Sequence, residues 1–402
     1  MSVQRGWQFF MHPGPTNIPQ QVLAAMARPA VDFTGPDFVT LREACMAGLK
    51  AVLKTRQGLP ILYASSGHGA WEASIENMFS PGERVLVCDT GYFAENWAHM
   101  ARAHGVEVDL LPTAPRRAVD PGAIEARLEQ DRAHAIKAVL MVQNETATGI
   151  RHPVAEARAA IDRARHPALL FADTISSLAS YDFRMDEWGV DLVVGGSQKG
   201  LMLPPGMAFT AVSPRAWTVS QAARCARRYF DWRNMVEDGR QVRFCGTAPI
   251  HFFYGLEVSL AMLMEEGLEN VFARHRRLAE ATRACVDAWA AGGGPERYAL
   301  ARNEASDSLT AVLVPPGCDA DRVRAHAESQ HGVALGRGLA ALQGRVFRIG
   351  HMGALNAPMV LGALAAIELT FRDLGVVHGR GGLDAAMQVL SAPPATMARV
   401  AA

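Results

Sequence analysis

The sequence predicts an α/β fold: a large domain on a mostly parallel sheet, followed by a smaller C-terminal α/β domain. Three observations predict it. Short apolar runs at 60–63, 84–88, 137–142, 168–172, 191–194 and 208–212 alternate with stretches of helical period, as buried strands alternate with crossover helices. Two of these runs end in polar residues able to share one crevice, Asp173 after Ala168–Ala172 and Ser197-Gln198-Lys199-Gly200 after Asp191–Gly196. A third, Pro60–Tyr63, opens through Ala64-Ser-Ser-Gly-His-Gly-Ala70 into a helical pattern that runs to Met78.

In order along the chain, residues 1–20 are an N-terminal arm, 21–255 the large domain, 256–292 linking helices and 293–402 the small domain. The linking segment is a helical stripe through Leu256, Leu260, Leu263 and Met264. It resumes after Gly267 at Leu268 and continues to Trp289, with His275 as a packed or partly exposed helix residue. Gly292-Gly-Gly-Pro295 breaks it, and strands are expected near 308–314 and 345–350. Gly336-Arg-Gly338 reads as a turn, and the Ala-rich tail after 384 as surface cover or a fraying end.

Alone, a lysine after a strand is ordinarily a solvated loop residue and an aspartate there a helix cap. Together, about 26 residues apart, they allow one crossover between neighbouring strands. An amine able to form a Schiff base and a carboxylate able to hold a pyridinium nitrogen protonated are what a pyridoxal 5′-phosphate site needs most. The turn at Ser66-Gly67-His68 supplies backbone amides at a helix start for a phosphate, with Ser66 and His68 as side-chain donors.

These segments carry a resemblance that runs almost end to end. Pro13-Gly-Pro-Thr-Asn-Ile-Pro19, Ser66-Gly-His68, Asn144-Glu-Thr-Ala-Thr-Gly149, Asp173 with Ser176-Ser177, Gly196-Ser-Gln-Lys199 with Leu203-Pro-Pro-Gly206, and Phe347-Arg-Ile-Gly350 resemble the class V aminotransferases of the fold type I pyridoxal phosphate enzymes. Within them the chain is most similar to the alanine/serine:glyoxylate group. The resemblance implies Lys199 as the Schiff-base lysine and proton carrier, and Asp173 as the partner of the ring nitrogen. It implies Ser66, Gly67, His68 and Gln198 as the phosphate cradle, Thr146 as a hydroxyl at the ring and Phe93 as the aromatic on the ring face. Gly14, in the substrate loop of the arm, and Arg348 are implied to bind substrate, Arg348 by gripping a carboxylate with its planar, permanently charged fork. Thr247 matches a threonine reaching the phosphate of a neighbouring subunit, which implies a homodimer with shared sites, or a homotetramer. Without the resemblance Thr247 reads as the N-cap of the helix behind Pro249.

The implied reaction moves an amino group from a small amino acid (serine, alanine or aspartate) to glyoxylate in a ping-pong sequence, giving glycine. Two departures leave the donor open. After Asp32 this chain reads Phe33-Thr-Gly-Pro36 where many relatives read His-Arg-Ser. Phe244 stands where a tyrosine is frequent, with Arg243 as the candidate to compensate. A β-eliminating lyase, or a transaminase with another acceptor such as pyruvate, remains the alternative. A desulfurase would have histidine before the lysine, where Gln198 stands, and a dinucleotide-binding oxidoreductase would need G-x-G-x-x-G rather than Ser66-Gly-His-Gly69. A regulator that keeps the fold without turnover would be expected to carry a basic helix-turn-helix before residue 20, and none is read there.

Lys plus Arg and Asp plus Glu both total 40, which argues against nucleic-acid or anionic-membrane partners; the cluster Arg224–Arg228 reads as a helix face or salt bridges. The 6 cysteines lack metal-ligand spacing, so no metal is expected. No signal segment is read at either end and no run spans a bilayer, so a cytoplasmic, soluble protein is expected.

Overall fold

The computed structural model describes residues 6–392. The chain begins with β1 (Phe9–Met11), loops through residues 12–19, and forms α1 (Gln20–Met26) and α2 (Pro36–Val52), the latter opened by a proline in its first turn. The large domain then alternates β2 (Leu59–Tyr63), α3 (Gly67–Met78), β3 (Arg84–Asp89), α4 (Tyr92–Ala103), β4 (Glu107–Pro112), α5 (Pro121–Gln130) and β5 (Ile136–Val142). A small hairpin, β6 (Asn144–Glu145) with β7 (Ile150–Arg151), precedes α6 (Val154–Arg163), β8 (Leu169–Asp173), β9 (Leu192–Gly196), β10 (Ala208–Val212) and α7 (Pro214–Ser220).

The sheet order is β2-β10-β9-β8-β5-β3-β4. β10 runs against both neighbours, and the pairs from β9 to β4 are parallel. Strand periodicity divides the sheet between two cores. Leu62, Leu86, Val139, Leu170 and Val193 face α2, α5 and α6, whereas Ile61, Val87, Leu140, Phe171 and Val194 face α3, α4 and α7. β8 and β9 are buried at every residue, which is why they read as continuous apolar runs. β4 gave no such run because it is the edge strand and only Leu111 is buried. The crossover from β8 to β9 contains turns and no helix.

α8 (Trp232–Met235) and the hairpin of β11 (Val236–Glu237) with β12 (Arg240–Gln241) lead to α9 (Ile250–Glu266) and α10 (Leu268–Trp289), which separate at Gly267, φ 81°. The expected division at 255/256 falls inside α9, whose Phe253, Leu256, Leu260 and Leu263 belong to the large-domain core.

The small domain holds β13 (Glu296–Arg297), β14 (Leu309–Leu313), α11 (Ala320–His331), β15 (Val333–Arg337), β16 (Val346–Gly350), α12 (Ala357–Leu374) and α13 (Gly382–Ser391). Its sheet order is β1-β15-β16-β14-β13, with β1 parallel to β15. The arm is thereby a strand of the small domain, and it carries the 12–19 loop to the domain junction. Gly336 and Arg337 end β15 rather than forming a turn, because a side chain on Gly336 would come within 2.6 Å of Pro13 in that loop. The tail after 384 is helical to Ser391 and packs on α10; the terminal residues Arg399–Ala402 lie outside the described residues. No helix among the described residues is long and apolar enough to cross a membrane.

Candidate active site

The carboxyl ends of β2, β8 and β9 meet at one edge of the large sheet, where a cavity of about 210 Å³ opens toward the arm. Gly14, Gly67, His68, Phe93, Thr146, Asp173, Gln198 and Lys199 all line it. Ser66 is the exposed N-cap residue of α3, beside the cavity. Thr247 lies outside, exposed in a shallow depression with Tyr63, Tyr229 and Phe244. It does not cap α9, whose N-cap is Pro249 without a side-chain bond. A wider groove of about 870 Å³, where Arg117, His152, Tyr181 and Glu304 meet, contains none of these groups.

Lys199 is 8 % exposed, and its Nζ donates to the Pro13 carbonyl at 2.7 Å. A side chain on Gly14 would overlap that amine, so the loop approaches the lysine only because residue 14 is glycine, at φ 130°. Burial brings the amine down to about 7, with the charge of Arg348 acting in the same direction and Asp173 opposing. Asp173 Oδ2 accepts from Trp71 Nε1 at 2.9 Å and Oδ1 from the Ile175 amide at 2.7 Å. Burial still pushes its carboxyl up to about 6.

Arg348 is 4 % exposed on β16. Its Nη1 donates to Thr146 O at 2.9 Å and its Nε to Arg337 O at 2.8 Å. Among the described residues no carboxylate lies within ion-pair distance of it; burial brings the guanidinium down to about 10, against the nearby charge of Glu145, which leaves it protonated. A buried cation without a carboxylate is a receptor for an anion. Thr146 Oγ1 shares a 2.7 Å hydrogen bond with Ser176 Oγ, and Ser308 Oγ donates to Ser176 O at 2.6 Å, tying the small domain to the cavity wall.

The residues fit pyridoxal 5′-phosphate. Ser66 leaves the first amides of α3 without a side-chain cap, a place for a phosphate. Gln198 lines the same cavity, and its side-chain amide nitrogen can donate to such a group. Asp173, strained toward neutrality by burial, would regain its charge against a protonated ring nitrogen. Phe93 provides an aromatic wall beside Trp71, ring centroids 6.2 Å apart.

Trp71, which holds Asp173, and Glu145 were both missed. Glu145 is fully buried, and its carboxyl accepts the amides of Ala147 at 2.9 Å, Phe93 at 3.1 Å and Ala94 at 3.4 Å. Burial nevertheless raises it to about 8. It fixes the first turn of α4, hence Phe93, while the carbonyl of the next residue holds Arg348. The only signal in the sequence was a charge within a segment otherwise uncharged from Ala138 to Ile150.

The departures from the family pattern sit apart from the cavity. Phe33 borders a separate hollow with Phe38 and Arg243. Phe244 packs edge-on against Phe253, 5.8 Å between centroids, and Arg243 is paired with Glu237 at 2.8 Å. Arg227 of the basic cluster is buried against Asp231. His275 is buried, its Nε2 accepting the Gly353 amide at 2.9 Å.

The sequence profile of the family described as Aminotransferase class-V matches residues 8–357. The L-aspartate–glyoxylate aminotransferase of Paracoccus denitrificans is 43% identical over 376 residues, covering 94% of each chain. The serine–glyoxylate aminotransferase of Methylorubrum extorquens is 41% identical over 388 residues, covering 95% of this chain and 96% of that one. Among solved structures, alanine–glyoxylate aminotransferase from Nostoc sp. superposes with a TM-score of 0.84 at 29% identity, over 92% of this chain and 97% of that one. Pyridoxamine-pyruvate aminotransferase from Mesorhizobium loti gives 0.88 at 26%, over 96% and 98%.

Two predictions follow from the geometry. In cofactor-free protein the acylation rate of Lys199, read by peptide mass, should rise with pH and level off above about 7, because only the neutral amine is nucleophilic. A half-point near 10 would refute the buried setting. Glu145→Ala, which strands three amides, should lower the stability measured by urea unfolding by at least about 2 kcal/mol; an unchanged midpoint would show that Glu145 holds nothing.

Proposed function

Because this chain belongs to the class-V aminotransferases, we propose that it transfers the amino group of a small amino acid (serine, alanine or aspartate) to glyoxylate, releasing glycine. The observation that carries this reading is Arg348, a buried guanidinium without a carboxylate, acting on the amine of Lys199 beside it. One arginine held by two backbone carbonyls suits the single carboxylate that donor and acceptor share.

Pyridoxal 5′-phosphate, when bound, supplies the carbonyl that takes up an amino group and the electron sink that makes an α-proton removable. Gly67, His68 and Gln198 would hold its phosphate, Asp173 its ring nitrogen and Lys199 its reactive carbon. The protein's own part is positioning and proton transfer. Arg348 fixes the substrate carboxylate, so the Cα–H bond is presented in one orientation. Lys199, its amine brought near neutrality by burial, takes the proton from Cα and returns it on the other side of the exchange. Pro13 and Gly14 cover the amine and keep water away from it. The donor leaves as its 2-oxo acid before glyoxylate enters.

We further infer a homodimer in the cytoplasm. Thr247 does not cap α9 and lies exposed beside Tyr229, 45 % exposed, which supports its serving a neighbouring subunit. All six cysteines are free, which supports a reducing compartment.

With glyoxylate supplied, one of serine, alanine or aspartate should yield glycine and its own 2-oxo acid, and Lys199→Ala should abolish this turnover; ammonia and pyruvate from serine would indicate elimination instead. Arg348→Lys should raise KM for glyoxylate about 10–100-fold, the loss of one charge-assisted hydrogen bond, with a smaller change in kcat. An unaltered KM would remove Arg348 from carboxylate binding.

A further inference from the structure

On the far side of the small domain, away from the cavity, two histidines and a carboxylate converge. His326 and His331 lie on α11, and the Nε2 atoms of both reach the same oxygen, Asp373 Oδ2 on α12, at 3.0 and 2.8 Å. The three ligating atoms lie within 4.8 Å of one another. The imidazoles are 5.8 Å apart between centroids and tilted rather than stacked.

The position of Asp373 favours further positive charge beside it. It stands in the last turn of α12, and His331 is the last residue of α11; both helices end in left-handed glycine caps, Gly375 and Gly332. A helix C-terminus carries partial negative charge, which an aspartate there opposes. Two such ends and a carboxylate surround the imidazole nitrogens. Nitrogen and oxygen donors of this kind suit zinc, with bonds of about 2.0–2.2 Å, and ligand atoms near 3 Å apart are close to the edge of such a tetrahedron. An imidazole whose proton sits on Nδ1 has Nε2 free to bind a metal.

We propose that His326, His331 and Asp373 form a surface site for a divalent transition metal of the zinc type, clamping the end of α11 to the end of α12. Solvent completes the coordination, because all three side chains are partly exposed. Oxygen-seeking ions such as magnesium are poor occupants of a site with two nitrogen ligands. The clamp joins two of the helices that pack on the small-domain sheet, so the metal stiffens the domain that carries Arg348 without touching the reaction.

The test uses the holoenzyme freed of metal by chelation and titrated with zinc by calorimetry, beside the His326→Ala/His331→Ala double variant and Asp373→Asn. One zinc per chain is expected in the wild type, with none of that binding in the double variant and at least tenfold weaker binding in Asp373→Asn. The melting temperature should rise by a few degrees with zinc in the wild type alone, and magnesium should do nothing. Zinc bound equally by all three proteins, through the exposed Cys245 for example, would overturn the proposal, as would no binding to the wild type. The exposed Asp373→Asn change keeps the test decisive if the double variant folds poorly.

Discussion

Keeping a lysine amine and an aspartate carboxyl in one dry cavity is the constraint on which the rest of this structure depends. Either group prefers water, and burial moves both toward their neutral forms, Lys199 to about 7 and Asp173 to about 6. The fold offsets that tendency with directed partners. Trp71 and the Ile175 amide hold Asp173, and the Pro13 carbonyl holds Lys199. These contacts need the strand ends of the large sheet, the first turns of α3, and a loop delivered by a strand of the other domain. The small domain is therefore part of the site through β1 as well as through Arg348.

The junction between domains is polar where it meets the cavity. Ser308 bonds to Ser176, Ser176 to Thr146 and Asn144, and Thr146 to Arg348, so the carboxylate receptor and the ring wall share one hydrogen-bonded frame. Buried polar networks of this kind specify position more than they add stability, since each member is costly if left unpaired. Glu145 extends the frame to Phe93 through backbone amides. Displacing any one bond shifts several cavity walls together.

Much of this was legible in the sequence because burial on both faces makes strands such as Leu192–Gly196 uniformly apolar, and because catalytic side chains follow strand ends. Edge elements were not: β4 buries only Leu111, and β1 is three residues long in an arm with no strand-like pattern of its own. Gly336 looked like a turn because a glycine needed for close approach carries the same letter as one needed for positive φ. Pro13 stands where a side chain would, and no local pattern reports that contact. Thr247 looked like a cap because threonine before proline satisfies that rule locally, yet α9 begins only at Ile250. Glu145 went unassigned because its partners are backbone amides, one pair more than fifty residues distant in sequence, and such bonds leave no trace in residue type.

The charges left over describe what the site expects. Among the described residues Asp173 has no cation in direct contact and Arg348 no ion-paired anion; Asp173 lines the cavity of about 210 Å³ and Arg348 holds its wall at Thr146. In folding alone these are costs, since a buried charge without an opposite charge beside it is destabilising even when hydrogen-bonded. They become assets when a protonated ring nitrogen and a substrate carboxylate arrive, because the dipoles and charges are already oriented and little reorganisation remains. The same logic explains why the lysine is held near neutrality by burial rather than by a strong acid partner. A tight ion pair with Asp173 would keep the amine protonated and useless as a base, whereas an aspartate set to meet the ring nitrogen leaves it free to move a proton.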